Sequence, residues 1–272
     1  MSLEKKYVII TLLIFLGAVV DAVGSLLGFW SDSGVEGSVT LAVKGLVLLG
    51  LILLSLSIKN WVYQTTPNST YRKVAWLSSL SLMLCVGGDI INTNFPHTFY
   101  RYEGVVKHDY LAESIFFFGP GYLLLLVNGV VVAIDSGMRS QVIYVSILVG
   151  VLLGGASLLL MHLPDTGVFV TAMTGSYAAL IGAIGTFSFV MIHALGGLRS
   201  SFGSWLVGLG FILACVADAV IGNFWIYGNG GEGYYPAVRY INWILYIGSQ
   251  CLVIQLPYVL VSRHIHLTMQ RT

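Results

Sequence analysis

Charge is what this 272-residue chain has least of. Asp, Glu, Lys and Arg together supply 9% of it, where a soluble domain carries about 25%. That leaves too few polar side chains to cover a soluble globule and implies an integral membrane protein. The net charge of +1 removes the basic footprint of a nucleic-acid binder. Cysteine is scarce too: Cys85, Cys215 and Cys251 all lie in apolar runs. They give no disulfide framework and no Cys-x-x-Cys pair, and read as small core residues. The six histidines form no His-x-x-x-His or His-Glu-x-x-His pair, so no metal site is expected. No P-loop and no Gly-x-Ser-x-Gly elbow occurs, which removes support for nucleotide hydrolysis and serine-type acyl transfer. Period-two alternation is also missing, which argues against a β-barrel.

What the chain does have is long apolar runs. A spanning helix needs about 20 mostly apolar residues. Eight segments qualify: 7–30, 38–58, 74–95, 112–134, 142–162, 168–195, 203–228 and 239–261. The first is too long for a signal-peptide core and reads as a retained helix. The breaks between runs carry turn residues, such as Pro67-Asn68-Ser69 and Gly228-Asn229-Gly230-Gly231. The 32 glycines suit closely packed spanning helices. The expected fold is all-α, one polytopic domain over 1–272, with both termini on one side. Lys5, Lys6, Lys59, Arg72, Lys73, Arg139, Arg199, Arg263 and Arg271 fall on that side; Arg101, Lys107 and Arg239 fall on the other. This bias places the termini in the cytoplasm, in a bacterial inner membrane or the endoplasmic reticulum. The tail Arg263-His264-Ile265-His266 reads as facing headgroups. The loop 96–111, a lid or a solvated connector, is the longest on the far side.

Within this apolar background the acids stand out. Asp89 and Asp218 sit in long apolar runs, each followed five residues later by Asn-Phe: Asn94-Phe95 and Asn223-Phe224. A carboxylate in such a place costs several kcal/mol unless partnered, and marks a functional site by default. A shift of 129 residues superposes the two motifs and also brings Glu103-Gly104 onto Glu232-Gly233 and Gly119 onto Gly248. The shift carries helix 3 to helix 7 and helix 4 to helix 8, as in a parallel repeat of two four-helix halves. At about 1.5 Å per residue, Asp21, Lys44, Asp89 and Asp218 all lie about 9–15 Å below the outer boundary. Asn92, Asn94, Asn223 and Asn242 lie above or beside them, and Glu113 near the outer start of helix 4. Tyr246 and Gln250 are one turn apart on helix 8 and share a face. Together they suggest a polar cavity opening outward over a drier inner half. Lys44 reads either as the neutraliser of a nearby aspartate or as a group for a substrate phosphate. Asn128 and His193 read as structural.

The order of these features resembles the YhhN family of eight-helix lysoplasmalogenases. The resemblance rests on Lys44 and the leucine-rich run 46–56, Gly88-Asp89, Phe116-Phe117-Phe118-Gly119, Asp218, and Tyr246 with Gln250-Cys251-Leu252-Val253-Ile254. Three features depart from it: Lys44-Gly45 replaces Lys-Pro, a helix-4 histidine has no counterpart, and loop 96–111 is longer. The resemblance implies hydrolysis of the vinyl ether of a lysoplasmalogen drawn from the bilayer, without metal or redox cofactor. Asp89 and Asp218 would be the acid–base pair, Lys44 would meet the phosphate or keep one aspartate ionised, and Tyr246 and Gln250 would orient water or the polar head. Asn94 and Asn223 join the expected substrate-binding set, with Asp21 and Glu113 as further candidates. The rival readings are a proton-coupled carrier, another enzyme that protonates an alkene, and a scaffold in which the aspartates only pair with Lys44. A carrier favours helices broken at equivalent places in both halves, and only Gly119-Pro120-Gly121 looks like such a break.

Overall fold

The computed structural model describes residues 3–30, 34–93, 111–161, 167–197, 201–231, 235 and 237–269. The described residues are helical, with no strand among them. The helices are α1 (Leu3–Leu26), α2 (Gly34–Thr65), α3 (Ser69–Asn92), α4 (Leu111–Asp135), α5 (Ser140–Met161), α6 (Gly167–Ala194), α7 (Phe202–Ile221), α8 (Val238–Val253) and α9 (Leu256–Met269). They make eight segments long and apolar enough to cross a membrane, α8 and α9 counting as one. These coincide with the eight apolar runs of the sequence. Loop 96–111 and Asn94 lie outside the described residues, apart from Leu111 at the start of α4.

Successive helices run antiparallel, as their cross-contacts show. Tyr7 on α1 reaches the Ser57 carbonyl on α2 at 3.3 Å, and the Ser55 and Ser79 hydroxyls join α2 to α3 at 2.9 Å. Ser81 on α3 donates to the Gly121 carbonyl on α4 at 2.7 Å. Thr186 on α6 donates to the Ser146 carbonyl on α5 at 2.8 Å, and Ser249 on α8 to the Gly210 carbonyl on α7 at 2.8 Å. Gln255, between α8 and α9, donates to Thr11 at 2.9 Å and brings the last segment back to α1. The upper end of the bundle is where α1, α3, α5 and α7 finish and α2, α4, α6 and α8 begin.

Local chemistry sets the ends. Asn68 caps α3, its Oδ1 accepting from the Thr70 and Tyr71 amides at 2.9 and 3.3 Å, which satisfies donors the first turn leaves unpaired. Arg72 closes the end of α2 by donating to the Thr66 and Tyr63 carbonyls at 2.9 Å each. The break in the last segment is set by Pro257, which has no amide hydrogen and whose ring crowds the carbonyl four residues earlier. Gln255 accordingly turns to a carbonyl three residues back, that of Leu252, at 3.2 Å.

Three sequence expectations change here. Gly119-Pro120-Gly121 is no break, since α4 runs through it without interruption; the missing bond is tolerated because Gly121 lets α4 lie on α3, where a Cβ would stand 2.7 Å from Cys85 Sγ. The expected single helix over 239–261 is instead two. The basic tail is partly engaged with the protein, as Arg263 donates to the Ala194 carbonyl at the end of α6 at 3.1 Å.

Asn128, fully buried, is read correctly as structural. Its Nδ2 donates to Ser78 Oγ at 2.7 Å and to the Val74 carbonyl at 3.2 Å. Losing such a buried bond costs about 1–3 kcal/mol. Asn128→Ala is therefore expected to lower the thermal midpoint of the detergent-solubilised protein, and an unchanged midpoint would contradict this role.

Candidate functional site

The upper end of α3 is shaped by glycine. A Cβ on Gly88 would stand 2.9 Å from the Phe118 ring, and one on Gly87 would stand 2.7 Å from the Phe117 ring. Without those carbons the aromatic row of α4 lies flat on α3 and buries the next residue, Asp89, to 4% exposure. The Tyr246 hydroxyl of α8 donates to Asp89 Oδ2 at 2.6 Å. Phe118 meets the Tyr246 ring edge-on at 6.0 Å and the Tyr122 ring at 6.4 Å. These three rings make one contiguous row.

At one end of this row, beside Tyr122, stands Asp218. Four residues beyond it α7 passes into a π-helical turn, Gly222–Ile226, a feature that recurs at functional sites. The wider turn takes the Tyr227 amide to the Gly222 carbonyl, five residues back, at 2.9 Å. It brings Asn223 and Tyr227 to the same side as Asp218, and all three line a cavity of about 370 Å³. Asn223 is braced by donating to the Ala219 carbonyl at 2.8 Å. Thr174 and Tyr177 of α6 add polar groups, while Leu153 and Leu158 of α5, Ile181 and Phe189 of α6 and Phe118 of α4 make the rest apolar. The Tyr122 and Tyr177 hydroxyls neighbour the Asp218 carboxylate, yet none of Tyr122 OH, Tyr177 OH or Asp218 Oδ2 has a well-formed hydrogen bond. Below the cavity, a groove shares Phe189 and continues along α6 and α7 to Ile192, His193 and Leu209.

At the other end lies a polar group from four helices. Each contributes a pair three or four residues apart, hence on one face: Asp21 and Ser25 on α1, Thr40 and Lys44 on α2, Asp89 and Asn92 on α3, Asn242 and Tyr246 on α8. Lys44 stands 5.8 Å above the Trp243 ring and within electrostatic reach of both Asp21 and Asp89. No direct ion pair of Lys44 is seen among the described residues, and it acts on both aspartates through space. Buried polar atoms are nearly always hydrogen-bonded in native proteins. Seven of the twelve buried, unpartnered side-chain atoms among the described residues belong to this upper end of α1, α2, α3 and α8: those of Asp21, Ser25, Trp30, Thr40, Asn92, Asn242 and Trp243.

Of the two aspartates expected to share one chamber, Asp218 lines the 370 Å³ cavity and Asp89 does not. Asp218 lies within electrostatic reach of Asp89, and Cys85 and Tyr122 neighbour both. Gln250, 2% exposed, sits one turn below Tyr246 on α8. Glu113 is half-buried with an unpartnered Oε1 at the start of α4 and does not line the cavity. Among the described residues no group of three or more His, Cys, Asp and Glu is placed to hold a metal ion.

Sequence reasoning passed over Tyr122, Tyr177, Thr174 and Trp243, and read Tyr227 as an interfacial anchor where it lines the cavity. The signal for the first two was present: a phenol in the middle of an apolar run must bury its hydroxyl, as an aspartate must bury its carboxyl. Compared with known proteins, the chain matches no family model, no curated protein and no solved structure.

A carboxyl ringed by phenols, facing an apolar cavity and backed by a second carboxyl, can hold one proton between two acids and deliver it to a carbon atom in a site that water reaches sparingly.

Proposed function

We propose that the chain is a multi-pass membrane hydrolase that cleaves the vinyl ether bond of lysoplasmalogens, its termini in the cytoplasm and its upper end on the opposite side. One observation carries the reading: Asp218, with Tyr122 and Tyr177 beside it, lines an alkyl-walled 370 Å³ cavity, while Asp89, within electrostatic reach, is held by Tyr246. The resemblance in residue order to lysoplasmalogenases supports the same chemistry.

In this reading the alkenyl chain occupies the cavity and the groove along α6 and α7. The protonated carboxyl of Asp218 gives its proton to the β-carbon of the vinyl ether. The double-bond electrons form the new C–H bond, and the positive charge is shared between the α-carbon and the ether oxygen. Water adds to the α-carbon, and its released proton returns to the carboxylate pair. The hemiacetal then splits into a fatty aldehyde and the alcohol of the glycerophospho-base. The second carboxyl, Asp89, which accepts from Tyr246, stabilises the cation. A site divides its proton between two carboxyls in this way when burial and mutual repulsion forbid both from ionising.

An internal parallel repeat fits the pairing. Eight residues before Asp89, Ser81 ties α3 to the Gly121 carbonyl; eight residues before Asp218, the Gly210 carbonyl receives the Ser249 hydroxyl. Each aspartate then stands two turns above a serine–glycine contact between neighbouring helices.

The test is a coupled aldehyde assay on purified protein with lysoplasmenyl-ethanolamine and lysoplasmenyl-choline. Aldehyde release is expected. Substrate flux into proteoliposomes without any product would replace this reading with a carrier.

A further inference from the structure

The lower end of the bundle holds a pocket that the chemistry above does not use. α4 finishes in a glycine turn. Gly137, at φ 80°, sends its amide to the Ile134 carbonyl, and the Met138 amide reaches the Ala133 carbonyl, each at 3.0 Å. The turn is tight enough that Arg139 caps α5 at once, its carbonyl accepting from the Val142 and Ile143 amides at 2.9 and 3.4 Å. Arg139 thereby comes opposite the last turn of α6. With His193 it lines a pocket of about 600 Å³ whose floor is Val142, Phe189 and Val190. We propose that this pocket binds the phosphate of an anionic glycerophospholipid from the surrounding bilayer, whose glycerol backbone and first methylenes lie on the apolar floor.

The charge of the pocket selects the headgroup. Arg139 offers a planar fork of N–H donors that fits two phosphate oxygens at once, and an imidazole N–H of His193 adds another donor. α5 begins here, and the positive end of its dipole has the same sign. Among the described residues no carboxylate lines the pocket. Asp135, the nearest acid along the chain, lies within electrostatic reach of Tyr71 on α3 instead. A choline or ethanolamine headgroup would bring its ammonium against Arg139 and find no group of opposite charge. A lipid with a glycerol headgroup brings only the phosphate charge and hydroxyls.

The surroundings select a lipid over a soluble anion. Phe189 is 69% exposed and Val142 44%. Both belong to segments long and apolar enough to span a membrane, so the floor faces acyl chains. Arg139 falls between two such segments and His193 in the last turn of a third, the level at which headgroups lie. His193, expected to be structural, is exposed at this boundary. The pocket shares Phe189 and His193 with the groove along α6 and α7 but lies on the α5 side of α6. A lipid bound here spans α5 and α6, and α5 has little other contact with the bundle.

The experiment titrates phosphatidylglycerol or phosphatidylcholine, in mixed micelles, into the detergent-purified full chain. The readouts are the thermal midpoint and the lipid retained in native mass spectrometry. Phosphatidylglycerol is expected to raise the midpoint saturably, since a ligand of the folded state alone stabilises it, with phosphatidylcholine at least tenfold weaker. The double variant Arg139→Gln, His193→Gln should weaken phosphatidylglycerol at least tenfold and leave the lipid-free midpoint unchanged, because both side chains are exposed. Val142→Asp, which sets a carboxylate in the pocket, should weaken it equally and supplies a second variant. Lys73→Gln removes an exposed cation from the same end of the bundle outside the pocket and should change nothing. Equal affinity for the two lipids, binding unmoved in both folded pocket variants, or an equal loss in Lys73→Gln would overturn the site. Glycerol 3-phosphate as potent as phosphatidylglycerol would overturn assignment to a lipid. None of these readouts involves turnover, so the site and the hydrolase reading stand or fall separately.

Discussion

Asp218→Asn is expected to stop aldehyde release from a lysoplasmalogen, by about 10²–10⁴-fold if it removes a general acid, in a protein that remains folded. The substitution preserves shape and leaves an oxygen beside the Tyr122 and Tyr177 hydroxyls, so the fold should survive. What disappears is a proton that can be given to carbon, since an amide has none to donate at neutral pH. Asp89→Asn acts differently. Its oxygen can still accept from Tyr246, as Oδ2 does at 2.6 Å, so the fold again survives, but the negative charge that steadies the cation is gone. Tyr246→Phe separates charge from position: it keeps the carboxyl and removes its donor. A hydrogen bond to a charged group contributes about 1.5–3 kcal/mol, so a roughly tenfold to hundredfold loss is expected. Single-turnover rates measured beside substrate affinity place these effects on the chemical step. Wild-type turnover by the double variant Asp89→Asn, Asp218→Asn would end the mechanism.

Gly154→Val is expected to be the most damaging substitution away from the carboxylates. Gly150 and Gly154 on α5 face Gly182 and Ala178 on α6 with backbone against backbone. A Cβ at Gly154 would overlap the Ala178 carbonyl oxygen and stand 2.8 Å from its carbon and 2.9 Å from Ala179 Cα. None of those atoms is the free end of a side chain, so the helices must part. Overpacking of this sort costs about 1–3 kcal/mol and occasionally more. Here the larger value is expected, because α5 packs almost entirely on α6 and is otherwise exposed over most of its length. Moving α5 also moves Leu153, Ser157 and Leu158, which wall the cavity. The thermal midpoint should fall by several degrees and substrate affinity with it. A variant with the wild-type midpoint would show that the contact is not tight.

The helices were legible because their cause is local: an apolar run of about 20 residues bounded by turn residues needs no neighbour to be recognised. Asp89, Asp218 and Lys44 were legible for a related reason, since a charge in an apolar run is conspicuous wherever the run packs. The Gly150–Gly154 spacing was readable as a small-xxx-small seam, though nothing in the sequence names Ala178 and Gly182 as its partners. Trp243 was harder, because an aromatic ring near a span end reads equally well as an interfacial anchor, and Tyr122 and Tyr177, though mid-span, name no partner in the sequence. Their roles depend on rotation about the helix axis, which packing decides. The break before Pro257 and the unbroken helix through Pro120 show the same dependence: one proline lies where a helix turns away, the other where Gly121 lets two helices close together.

By itself the sequence determined an all-helical chain with eight apolar segments and a few ionisable groups gathered near one end, because composition and period act within a single helix. Only the tertiary structure decided that Asp89 meets Tyr246 while Asp218 lines the alkyl-walled cavity. A helix fixes which residues share a face. Which face meets which neighbour is settled by ring and glycine contacts between segments far apart in the chain.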